Sequence, residues 1–300
     1  MKKIRGNGGL ELSNIVHGHW RLAEWNLSDR ELLRLTQQII DLGITTFDHA
    51  DIYGNYSCET LFGNALALKK ELRNQIQIVT KCGIKLISDK YPARKVKHYD
   101  YSYEHTTASV ENSLRHLRTD RIDLLLLHRP SPFFNPEEVA RAFSELHRSG
   151  KVLHFGVSNF SIAQFVMLAK HIDMPLVTNQ VEISPFCLEH FENGNMEFFL
   201  KENINPMAWS PLAGGEIVAP KSEKGHRVHQ ILAEVAHELH VDGIDKIAYA
   251  WLLKHPAGIL PIVGSQKLER TQAAAEALTI DMSLEQWFKI YIAAKGEELP

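Results

Sequence analysis

Gly43-Ile44-Thr45-Thr46-Phe47-Asp48-His49-Ala50-Asp51-Ile52-Tyr53-Gly54 reads as a short β-branched strand, with an acid at its carboxyl end and a phenol in the loop beyond. Two later runs share the design. Ile76-Gln77-Ile78-Val79-Thr80-Lys81 ends a strand on a lysine, and Leu124-Leu125-Leu126-Leu127-His128 ends one on a histidine. Singly, each residue is ordinary: Asp forms turns and caps, Tyr half-buries, and Lys and His at strand ends are solvated. An α/β barrel, however, gathers its strand ends into one mouth, where Asp48, Tyr53, Lys81 and His128 would face one another.

The flanking chain repeats that rhythm. Upstream, 15–20 alternates as a first strand, and Ser28 with Glu31 three residues on caps a helix carrying Leu32, Leu35, Ile39 and Leu42 up to Gly43. Downstream, helices near 57–70, 104–117, 136–149, 161–171 and 195–203 alternate with strands at 76–81, 122–128, 152–157, 176–181 and 205–210. Helices at 227–240 and 243–255 precede an eighth strand at 258–263. A helix from Lys267 and a last one capped by Ser283 follow. Eight strands alternating with helices predict a (β/α)8 TIM barrel with an extra C-terminal helix, residues 1–300 forming one domain. Two connections, 83–103 and 212–227, are long for this fold, and the first is rich in Lys, Arg, Tyr and His.

Composition narrows the function. A net charge of -3 gives no basic field for nucleic acid, and 44% hydrophobic residues can bury a large core. No window approaches the ~18 apolar residues of a membrane span, and the basic start lacks the apolar run of a signal peptide. Cys58, Cys82 and Cys187 have neither disulfide-framework nor C-x-x-C spacing. A cytoplasmic, reduced protein is expected.

Asp48-x-Ala50-x-x-Tyr53-Gly54, Lys81, Leu127-His128-Arg129-Pro130 and Gly156-Val157-Ser158-Asn159-Phe160 resemble, in order, the signature blocks of the aldo-keto reductase superfamily. The likeness extends over about residues 12–295 and includes Asn179–Pro185 and Pro206–Ser210. It implies reduction of a small-molecule carbonyl by hydride transfer. Tyr53 would be the proton donor, Lys81 would lower its pKa from about 10, Asp48 would hold Lys81 charged, and His128 would orient the carbonyl. It also implies that Ser158, Asn159 and Gln180 bind the nicotinamide carboxamide, that Trp209 stacks on the ring, and that Ser210 and Leu212 bind pyrophosphate. At the adenosine end Ser265 and Arg270 match the family pattern, but Gly264 stands where a Lys is usual, with Lys267 as a substitute. NADPH is expected, and NADH is possible. No G-x-G-x-x-G follows the first strand, so a Rossmann domain is not indicated.

Trp20 and Trp25, with Tyr53 and Phe160, are expected to line the substrate pocket and to suit small aromatic or aliphatic carbonyls rather than strongly anionic ones. Two rival readings belong to other classes. His17-x-His19 on the first strand resembles the paired ligands of metal-dependent amidohydrolases, but Ser158, Gln180 and Gly264 stand where those barrels place further His and Asp. A cofactor-binding redox sensor with little turnover could keep the fold, since fold does not fix function.

Overall fold

The structure, a computed structural model, describes residues 3–5 and 7–300. Eight parallel strands close a barrel in sequential order: β1 (Val16–Gly18), β2 (Thr46–Asp48), β3 (Gln77–Cys82), β4 (Ile122–Leu127), β5 (Val152–Ser158), β6 (Leu176–Glu182), β7 (Met207–Trp209) and β8 (Leu260–Val263), the last pairing back onto β1. The surrounding helices are α1 (Asp29–Asp41), α2 (Cys58–Ala67), α3 (Tyr103–Leu117), α4 (Pro136–Arg148), α5 (Ile162–Ala169), α6 (Asn195–Glu202), α7 (Glu223–Glu238), α8 (Ile244–Lys254), α9 (Leu268–Glu276) and α10 (Leu284–Lys295). The Ser28–Glu31 capping box forms as the sequence predicts.

The period of two along each strand sorts the side chains into two cores. Val16, Val79, Leu124, Leu126, Met207, Leu260 and Ile262 point inward and fill the lumen with Leu10 and Leu12 from the N-terminal segment. Phe47, Ile78, Leu125, Leu127, Phe155, Val157, Val181 and Ala208 point outward against the helices. Leu124 to Leu127 are therefore buried on both faces, which is why β4 reads as an unbroken leucine run. One step above the apolar lumen layer, the inward positions are occupied by Asp48, Lys81, His128, Ser158, Gln180 and Trp209.

Several elements differ from the sequence reading in extent. β1, β2, β7 and β8 are shorter than expected, because only these residues pair within the closed barrel. α7 starts at Glu223 rather than 227, since Ser222 caps it through Gly225 N and Glu216 accepts from Lys221 N, Ser222 N and Ser222 Oγ. The long connection after β3 is structured: Ile84–Lys85 and His98–Tyr99 form a two-stranded ladder. The C-terminal helix α10 docks through Trp251 and Trp287, whose rings stack at 4.8 Å, each indole N–H donating to the other's carbonyl at 3.0 Å.

Candidate active site

Lys81 lies at the centre of the polar layer with its side chain fully buried. Its ammonium donates to both Asp48 carboxylate oxygens and to the His49 carbonyl, each at 2.7 Å, and reaches the Tyr53 hydroxyl at 3.1 Å. Gln180 Nε2 donates to Asp48 Oδ1 at 2.8 Å, so both partners of the ion pair are held from several sides. A buried charge pair supported this way keeps its charges where a single contact would not. The pKa of Lys81 is raised: burial works against the charge, and Asp48, followed by Tyr53, more than compensates.

Tyr53 arrives by a strained turn. Gly54, Asn55 and Tyr56 follow it with φ of 57°, 51° and 63°, left-handed values that cost an L residue roughly 1–2 kcal/mol each and glycine almost nothing. Glycine is also required at 54 for space, since a Cβ would lie 2.6 Å from Cys58 Sγ and 2.7 Å from Ala23 Cβ. Bonds to the loop beyond β3 offset the strain. Asn55 Nδ2 donates to Asp89 at 2.9 Å, and the Tyr56 hydroxyl accepts from Leu86 N at 2.9 Å and from Arg94 at 2.7 Å.

The sequence reading expected Lys81 to bring the Tyr53 pKa down. The net direction here is up: burial raises it most, Lys81 pulls it back, and Asp48 raises it again. The phenol therefore keeps its proton through neutral pH. Its oxygen accepts from Lys81, and no acceptor among the described residues takes its own O–H, which is free for a molecule in the cavity. Beside it the His128 ring stands edge-on at 5.8 Å. Burial, with Lys81, Arg129 and Lys97 nearby, lowers the His128 pKa well below its usual value, so the ring is neutral and donates from one nitrogen only.

Tyr101, which the sequence reading did not single out, braces the strand end that carries His128. Its hydroxyl donates to Arg129 O at 2.5 Å and accepts from Arg129 N at 3.1 Å. Gly83 admits that ring, since a Cβ there would lie 1.9 Å from Tyr101 Cε1.

A cavity of about 860 Å³ opens over this layer, in the range of small-molecule sites at ~300–1,000 Å³. Asp48, Tyr53, His128, Ser158, Asn159, Gln180, Trp209, Ser210, Leu212, Ser265 and Arg270 all line it. Asn159 ties this wall together: its Nδ2 donates to Ser158 Oγ at 2.7 Å and its Oδ1 accepts from Trp209 Nε1 at 3.1 Å, fixing the indole. Ser158 Oγ donates to Gln180 O at 2.8 Å. Asn159 and Ser210 turn the chain sharply at φ of 60° and 51° where β5 and β7 end.

Some expected residues lie elsewhere. Trp25 is absent from the cavity wall and packs edge-on to His17 and His19, at 5.9 and 5.7 Å. Phe160 is buried against Phe134. Lys267 is exposed and does not line the cavity. His17 and His19 occupy outward positions of β1 and its extension, between barrel and helices, and do not line the mouth. Conversely, Arg21, Lys97 and Arg129 line the cavity. Lys97 comes from the long basic connection after β3 and Arg129 from the Leu127–Pro130 block, but the sequence singled out neither for the cavity.

A closed parallel barrel with a buried Lys–Asp pair, a phenol on the ammonium and a cavity-lining indole at its carboxyl mouth is an enzyme architecture suited to proton transfer at a carbonyl. The sequence profile of the Aldo/keto reductase family matches residues 14–294, and the chain belongs to that family. The chain is 51% identical to an uncharacterized oxidoreductase, YcsN of Bacillus subtilis (strain 168), with 100% of each chain covered. It is 46% identical to oxidoreductase YdhF of Escherichia coli (strain K12), with 97% of each covered. It is 41% identical to the 6-dehydroglucose reductase of Agrobacterium fabrum, with 100% of each covered. Among solved structures, the thermostable aldo-keto reductase Tm1743 superposes with a TM-score of 0.82 at 27% identity, over 98% of this chain and 100% of that one. The chain is thus an oxidoreductase for NAD(P)H-dependent carbonyl reduction. No helix of the described residues is long and apolar enough to cross a membrane.

Proposed function

We propose that the chain, acting as one unit over residues 1–300, reduces small hydroxylated aldehydes with NADPH and that Tyr53 supplies the proton. The observation that carries this is the Tyr53 hydroxyl, 3.1 Å from an ammonium clasped by Asp48, on the wall of the cavity. When bound, the reduced nicotinamide supplies hydride to the carbonyl carbon. As charge develops on the oxygen, Tyr53 donates its proton and the neutral His128 ring a second hydrogen bond, giving the alcohol. Lys81 stabilises the phenolate left behind, and Asp48 with Gln180 keeps Lys81 in place.

The wall residues fit the cofactor. The Trp209 face, fixed by Asn159, suits a nicotinamide ring. Ser158, Asn159 and Gln180 present amide and hydroxyl groups for its carboxamide. Ser210 and Leu212 would bind pyrophosphate, and Ser265 with Arg270 the adenosine end. Arg270 is the basis for preferring NADPH, as a guanidinium pairs well with a phosphate monoester. Replacement by Ala should weaken NADPH by a few-fold to about tenfold and spare NADH, the modest size reflecting an exposed contact. The difference should shrink with added salt. Fluorescence titration of both cofactors at two ionic strengths reads this. An equal loss for both, or none, would reduce Arg270 to a surface residue.

The substrate end favours polar carbonyls over the plain aromatic or aliphatic ones suggested by the sequence. Trp20, Ile52, Ile84 and Leu86 give its lining apolar surface, but Arg21, Lys97 and Arg129 add donors to it, and one relative is named 6-dehydroglucose reductase. An aldehyde panel with NADPH should rank a 6-aldehydo-hexose above benzaldehyde and hexanal in kcat/KM. The reverse order would restore the apolar reading. Cofactor binding without turnover of any aldehyde would instead favour a redox sensor.

A further inference from the structure

Three histidines outside the cavity form one chain of hydrogen bonds. His17 Nε2 lies 3.1 Å from the Ser265 carbonyl, His17 Nδ1 lies 3.3 Å from His19 Nε2, and His19 Nδ1 lies 2.9 Å from His49 Nε2. All three rings are buried. Each pKa is lowered, chiefly by burial, to about 4 for His17 and about 3 for His49, and that of His19 well below its usual value, so the rings are neutral.

Neutral imidazole has one donor and one acceptor, which fixes the direction of the chain. The Ser265 carbonyl can only accept, so His17 carries its proton on Nε2 and accepts at Nδ1. His19 must then donate from Nε2 and accept at Nδ1 from His49 Nε2. The chain ends at His49 Nδ1, a buried atom with no hydrogen-bond partner among the described residues. Every ring is thus the Nε2–H tautomer, and all the bonds run from His49 towards Ser265.

The His49 end meets the reaction centre. The His49 main-chain carbonyl accepts from Lys81 Nζ at 2.7 Å, and His19 N donates to Asp48 O at 2.9 Å. His19 therefore braces, by its backbone and its ring, the two residues whose oxygens surround the ammonium. Its ring is held in turn by Phe47, stacked at 5.7 Å, and by Phe62 at 4.8 Å. Barrel closure explains why the three rings meet. Gly18 pairs with Asp48 and Val263 with His17, so the ends of β8, β1 and β2 lie side by side.

We propose that His17, His19 and His49 are positioning residues, a one-directional relay that locks the Ser265 segment and the oxygens around Lys81 into one geometry for proton transfer. The proposal rests on the reading of Lys81 and Tyr53 as the reacting pair.

Two measurements test it. Long-range ¹H–¹⁵N spectra of the ¹⁵N-histidine-labelled protein should show all three rings neutral and protonated at Nε2, unchanged from pH 6 to 9. A single Nδ1–H or doubly protonated ring would overturn the relay, whatever any variant does. His19→Phe keeps an aromatic ring but breaks both bonds, so kcat for a reducible aldehyde should fall about tenfold with little change in its KM. His19→Gln, whose amide both donates and accepts, should recover to within about threefold of the wild type. Unchanged kcat in His19→Phe, or equal losses in both variants, would leave the residue a packing role and sink the proposal. Tyr53→Phe serves as a separate control: full turnover there would remove the catalytic reading, while the tautomers would stand.

Discussion

Tyr53→Phe is expected to lower kcat for carbonyl reduction by roughly 10²–10⁴-fold, the span of a lost general acid. It should leave NADPH affinity and folding nearly unchanged. The hydroxyl is only one of the acceptors around Lys81, and Asp48 and the His49 carbonyl remain. The phenyl ring keeps the packing that holds the turn. Because the missing group acts only as charge develops, kcat and kcat/KM should fall together. In the wild type, burial sets the Tyr53 pKa above its usual value. Reduction should therefore be flat across neutral pH and decline only above the pH at which an ordinary phenol ionises, once Tyr53 loses the proton it must donate. Stopped-flow measurement of aldehyde reduction by the two proteins gives the ratio directly. A variant within a few-fold of wild type would mean that another group donates the proton.

Strand endings were the legible part of the site. β2, β3 and β4 each run from apolar residues directly onto a charged or titratable one, Asp48, Lys81 or His128, and the fold, with Phe47 and Ile78 outward and Val79, Leu124 and Leu126 inward, turns those three to the mouth. The run 15–20 lacks that cue. Ile15, His17 and His19 alternate with Val16, Gly18 and Trp20, and both phases contain an apolar residue. The phase is settled by neighbours distant in sequence: a side chain at Gly18 would come within 2.7 Å of Ile262 Cγ2. Trp25 follows the same histidines into the layer under the helices. The cations of the cavity wall were hidden for a different reason, since Lys97 is delivered by the ladder of 84–85 with 98–99 in the connection after β3, and Arg129 by the brace from Tyr101. The direction of the Tyr53 pKa was also hidden, because proximity to Lys81 can be inferred from spacing whereas the depth of burial cannot.

Lys81→Met should abolish activity to a similar degree and, unlike Tyr53→Phe, destabilise the fold. Methionine fills the space of the lysine stem, but Asp48 is left buried with only Gln180 Nε2 and no cation. Breaking such a pair from one side costs about 3–5 kcal/mol, on the order of 10 °C in Tm for a chain of this size. The wild-type contribution has a defined pH window. Lys81 has a raised pKa in the folded state, so its stabilisation is fully present below the unfolded lysine pKa of about 10.4 and is lost as pH rises through the folded value. In the variant the stranded Asp48 relieves its burial by taking up a proton, so the deficit relative to wild type should be smaller at pH 5 than at pH 8. Adding Asp48→Asn removes the stranded charge and should recover much of the stability but none of the turnover. Thermal unfolding of the four proteins of this cycle at both pH values tests the account. A deficit that is independent of pH and not relieved by Asp48→Asn would assign the loss to packing around the lysine stem, and the buried charge pair would no longer explain the stability of the site.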